Sequence, residues 1–228
     1  FAVGILYLFV KVPHTENKPE NGKKVSHFGE LVDGLKYIHT QKYLLLLIIL
    51  STLYMIAMTP VSVLTPLQVT RNFGTDVWRL SAIEIAFAGG MMLGGILVGV
   101  WSFRNKIYSI GISSVVFGAM TVLLGLFTDF IPYLACMGIC GIMMPYYNAP
   151  NMTLIQEKVA PDYLGRILSV FTMTGSLAMP FGMLFFGPLG DVVNINYILI
   201  GTGIIMLALG TVYFINKTLR TSDVKSCD

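Results

Sequence analysis

Six long apolar stretches fill most of the chain, and its basic residues fall almost entirely in every second hydrophilic gap between them. Lys11, Lys18, Lys23, Lys24, Lys36 and Lys42 precede the first complete stretch. Arg104 and Lys106, then Lys158 and Arg166, then Lys217, Arg220 and Lys225 occupy later alternate gaps. Arg71 and Arg79 remain for the opposite side, and the gaps around Asp129 and Asp191 hold no basic residue. Lys and Arg are translocated poorly, so this alternation reads as a polytopic membrane protein with its basic gaps and its C-terminus in the cytoplasm. In lipid an open sheet cannot satisfy its backbone, so the stretches are expected to be helices.

A spanning helix needs about 20 mostly apolar residues. The spans are placed at about 43–66, 80–101, 107–127, 131–153, 167–189 and 195–216. Composition agrees, with 55% hydrophobic and 12% charged residues. The net charge of +3 belongs to orienting the helices and gives no argument for nucleic-acid binding. Cys136 and Cys140 fall within a span and Cys227 in the tail, which is no disulfide framework.

The domain reading follows in four parts. Residues 1–10, Phe1 to Val10, are apolar but half the length of a span, and read as the end of a truncated transmembrane helix. Residues 11–42 form a cytoplasmic linker: residues 13–26 are polar with Pro13, Pro19 and Gly22, and from Phe28 the residues Leu31, Val32, Leu35 and Ile38 recur at helical spacing. That second part is expected to be an amphipathic helix on the membrane face. Residues 43–216 hold the six spans, and 217–228 are a cytoplasmic tail.

Four segments resemble the major facilitator superfamily, in particular its bacterial drug-exporter branch of macrolide-efflux-type and enterobactin-exporter-like proteins. They are Phe28 to Ile38, Gly94-Gly95-Ile96-Leu97-Val98-Gly99 running into Arg104 and Lys106, Pro161-Asp162-Tyr163-Leu164-Gly165-Arg166, and Gly187-Pro188-Leu189-Gly190-Asp191. The second resembles the family's Gly-rich loop motif without its usual acidic residue. The resemblance implies an all-α membrane protein, the C-terminal six-helix bundle of a twelve-span fold preceded by the end of another helix. It implies a secondary active transporter in the bacterial plasma membrane, exporting a hydrophobic or amphipathic small molecule such as a drug by alternating access coupled to protons. Its partners would be substrate, protons, lipid and an N-terminal six-helix half, with no nucleic acid, cofactor or metal. The chain would not be an enzyme.

Transport chemistry needs polar groups at membrane depth. Glu84 is the one ionisable side chain within the six spans, and such groups usually face a cavity or a partner. It is the candidate for proton coupling or cation recognition, against an interfacial position paired with Arg71 or Arg79. Phe87 and Met91 share its helical face and join it as cavity candidates. Prolines interrupt the first and fourth spans, which correspond in the inverted repeats of this fold, and transporter sites tend to lie where such helices are broken. Thr59 and Pro60 in the first, and Tyr146, Tyr147, Asn148 and Asn151 in the fourth, are the resulting substrate-cavity candidates.

Gly165, Arg166 and Arg104 are candidates for gating at the cytoplasmic loops. Ala82, Ala86, Gly90 and Gly94 form a small-residue stripe suited to helix contact, continued by Gly95 and Gly99. Glycines and prolines in the fifth span predict a kinked or flexible helix. Two further classes stay open: an integral-membrane enzyme, whose His or acidic clusters are missing here, and a non-transporting scaffold or sensor.

Overall fold

The computed structural model describes residue 34 and residues 36–74, 76–100, 105–216 and 219. Residues 1–10, read as the end of a truncated helix, most of the linker, Arg104 and nearly all of the tail lie outside the described residues. Six helices follow in order: α1 Lys42–Asn72, α2 Val77–Val100, α3 Lys106–Leu126, α4 Phe130–Lys158, α5 Pro161–Val192 and α6 Ile195–Ile215. All six are long and apolar enough to cross a membrane. The end carrying Lys42, Lys106 and Lys158 is termed inner, and the end carrying Arg71 and Arg79 outer.

Helices α1, α4 and α5 outrun the apolar stretches that predicted them, because helical backbone continues into polar turns such as Gln68 to Asn72. The prolines do not divide them. Helix α1 runs unbroken through Pro60 and Pro66, α4 through Pro145 and Pro150, and α5 through Pro180 and Pro188. A proline leaves the carbonyl four residues earlier without its donor. At Pro150 that carbonyl belongs to Tyr146, and the Ser109 hydroxyl of α3 donates to it at 3.1 Å.

The closest partnerships are α3 with α6 and α2 with α4; α3 also packs on α4, and α1 packs on α5 and α6. Small residues set these distances. A side chain at Gly90 would strike the backbone of Gly138 and Gly141, and one at Gly94 the backbone of Ile142. Half of the predicted stripe is therefore the α2–α4 contact, while Gly95 and Gly99 face open space. The other faces of α2 and α5 expose large apolar residues, among them Ile85, Met92, Leu184 and Phe185.

Side chains from one helix also serve the ends of others at the outer side. Gln68 of α1 donates to the Leu124 carbonyl in the last turn of α3 at 2.9 Å and accepts from the Tyr133 hydroxyl of α4 at 2.9 Å. It donates as well to Asn196 Oδ1 of α6 at 3.3 Å. Arg79 donates to the Phe73 carbonyl just beyond α1. A helix end in an apolar setting leaves carbonyls without partners, and these bonds supply them.

Candidate functional site

Four helices meet around a cavity of about 130 Å³ lined by Met58, Val61, Ser62, Thr65, Glu84, Phe87, Phe117 and Met137. Met58, Ser62 and Thr65 stand at i, i+4 and i+7 along α1, so one helical stripe forms that wall. Glu84 and Phe87 are one turn apart on α2. Phe117 of α3 and Met137 of α4 complete the lining. The chemistry is an apolar, partly aromatic surface with two hydroxyls and one carboxylate.

Glu84 is exposed and takes no part in the ion pairs among the described residues. Those pairs are Arg71 with Asp191 at 4.0 Å, Arg79 with Asp76 at 3.3 Å, and Lys106 with Glu157. Both outer arginines thus have acidic neighbours other than Glu84, and the interfacial pairing considered for it is not formed. Phe87 joins Glu84 in the cavity; Met91, on the same face but 40% exposed, does not line it.

The proline-linked candidates fall elsewhere. Thr59 and Pro60 are buried, and Thr59 lies on the side of α1 that meets α5, where a side chain at Gly182 would strike it. Tyr147 is 1% exposed and stacks on Tyr54 at 4.3 Å, within the core that also holds Phe117 and Tyr213. Asn151 is buried beside it: its amide donates to the Tyr147 carbonyl at 2.8 Å, and its oxygen accepts from Ser51 at 3.2 Å. Tyr146 is half-buried and Asn148 exposed. None of these six lines the cavity.

At the inner end, Gly165 is exposed, and the guanidinium of Arg166 lies 5.7 Å from the ring centre of Tyr163. Nearby, Glu157 at the end of α4 pairs with Lys106 of α3. Cys136 and Cys140 are buried free thiols.

The lining residues not foreseen divide into two kinds. Met58, Val61, Ser62 and Thr65 lie in the same proline-containing stretch as Thr59 and Pro60, and the spacing of Met58, Ser62 and Thr65 was a usable signal. Phe117 and Met137 carry no sequence signal, since each is one apolar residue among many in its span.

The family model of the Major Facilitator Superfamily matches residues 1–183. Macrolide efflux protein A of Streptococcus pyogenes is 30% identical over 199 residues, covering 86% of this chain and 49% of that protein. Macrolide efflux protein A of Enterococcus faecalis is 31% identical over 182 residues, covering 78% and 56% respectively. An uncharacterized MFS-type transporter of Bacillus subtilis (strain 168), YfiS, is 25% identical over 219 residues, covering 90% and 50%. The chain spans about half the length of the curated relatives it matches. No solved structure matches. With six apolar helices and these relatives, this multi-pass integral membrane chain belongs to the Major Facilitator Superfamily, a family of transporters and not of enzymes.

Proposed function

We propose that the protein exports an amphipathic small molecule by alternating access, with this chain acting as the C-terminal half against an N-terminal six-helix half, and with proton entry at Glu84 driving the cycle. The observation that carries this reading is the cavity between α1, α2, α3 and α4, where the Glu84 carboxylate stands outside every ion pair among the described residues. A carboxylate at membrane depth costs about 2.5–3.5 kcal/mol on insertion scales. Taking up a proton as the cavity dries removes that cost, which links protonation to the conformational change. Two relatives are macrolide efflux proteins, which makes macrolides the first substrates to test.

The complete coding sequence, expressed in inverted vesicles with an imposed pH gradient, should carry a macrolide inward and dissipate the gradient as it does so. Glu84→Gln is expected to abolish the substrate-linked proton movement while leaving substrate binding within about tenfold. Transport by the Gln variant that still follows the pH gradient would remove Glu84 from the coupling step. Equal loss of binding for cationic substrates alone, with neutral ones spared, would assign Glu84 to cation recognition.

A further inference from the structure

The described part of the segment preceding α1 sits on the first turns of α5. Gly34 is buried against Arg166, where an added Cβ would lie 3.4 Å from the Arg166 Cβ. Tyr37 stacks on Tyr163, with ring centres 4.6 Å apart and planes 18° from parallel. Arg166 adds its guanidinium 5.7 Å from the centre of the same Tyr163 ring. Ile38, one residue on, is only 2% exposed. The segment leads directly into α1: the Gln41 amide bonds the carbonyls of Tyr37 and Ile38 at 3.3 and 3.1 Å, Gln41 itself is extended, and α1 begins at Lys42.

The opposite end of the same helix pair is also tied. Arg71 near the end of α1 donates to the Gly190 carbonyl of α5 at 3.0 Å and lies 4.0 Å from Asp191. Between the two ends, Gly182 and Gly190 admit Thr59 and Leu64 of α1. Helix α5 meets α4 only sparsely, and α1 meets α2 only sparsely. The cavity opens along that second, thin seam, between the Met58–Ser62–Thr65 stripe of α1 and Glu84 with Phe87 of α2.

We propose that Gly34, Tyr37, Tyr163 and Arg166 form an inner clasp which, with the outer Arg71–Asp191 contact, holds the end of the linker and α1 on α5 throughout the transport cycle. The motif Pro161 to Arg166 is then a docking platform for the linker, and Tyr37 and Tyr163 are positioning residues with no contact to substrate. The clasp stays shut throughout the cycle, so the Tyr37 end of the linker moves with α5. That the clasp stays shut during transport rests on the transport reading, whereas the clasp itself does not.

The clasp is tested on the complete coding sequence with native cysteines replaced. Tyr37→Cys with Tyr163→Cys is expected to cross-link equally with and without a pH gradient, and the cross-linked protein to keep more than about half the transport rate of its reduced form. A rate below that, restored by reduction, would mean that the clasp opens in each cycle and would overturn the proposal. Amide exchange across residues 163–170 supplies a readout that needs no transport: Tyr163→Ser should speed it about tenfold or more and Tyr163→Phe should not. Unchanged exchange in the Ser variant would show that no clasp exists, whatever the protein transports.

Discussion

At the level of single residues, charge and burial separate groups that look alike in sequence. Glu84 and Tyr147 are both polar groups within spans, yet one is exposed on a cavity wall and the other is sealed in the core. Tyr147→Ala would remove a ring stacked on Tyr54 and leave a void that α1, α4 and α6 cannot fill by collapsing. The expected loss is about 3–5 kcal/mol, read as an earlier midpoint in denaturant unfolding of the detergent-solubilised protein. Gln68 makes a second test. Gln68→Leu strands the buried Leu124 carbonyl and takes from the buried Tyr133 hydroxyl the Gln68 oxygen that accepts its hydrogen bond. About 1–3 kcal/mol should be lost, part of it recovered when Tyr133→Phe is added, because removing both partners is cheaper than removing one. Neither role was legible beforehand. In sequence Tyr147 reads as a substrate-cavity candidate, but whether a Tyr at that height faces a cavity or a neighbouring ring depends on which helix lies opposite.

At the level of helices, glycine spacing carried real information and lost it at a definite point. The stripe through Gly90 and Gly94 meets the backbone of α4, and one step round the helix Gly95 and Gly99 meet nothing. Gly90→Ala should therefore destabilise the α2–α4 pair by at least about 1–3 kcal/mol, since the obstacle is backbone and cannot swing aside. Gly95→Ala should do the reverse, stabilising by about 0.4–1 kcal/mol through a less flexible unfolded chain. Thermal unfolding of the two variants side by side checks both signs. The prolines carry a strong local signal for interrupted hydrogen bonding, which a neighbouring helix can answer. Ser109 of α3 donates to the carbonyl that Pro150 leaves free, so α4 continues.

At the level of the whole molecule, the distribution of basic residues predicts orientation. A fluorescent reporter fused after Asp228 should be fluorescent and an alkaline phosphatase fused there inactive, with the reverse result for fusions at Asp129. Active phosphatase at both positions would contradict the assignment of the basic gaps to the cytoplasm. The apolar surface left open on α2 and α5 is the same surface that the proposed N-terminal half would share with lipid. Sequence by itself determined the number of helices, their approximate ends and their class, because the cost of unpaired backbone in lipid acts on each stretch separately and leaves one solution. Tertiary structure alone decided which helices touch, which polar groups close the helix ends, and which of several plausible residues reach the cavity. Those outcomes depend on the rotation of each helix about its own axis, and in a span that is apolar on every side the sequence scarcely marks that angle.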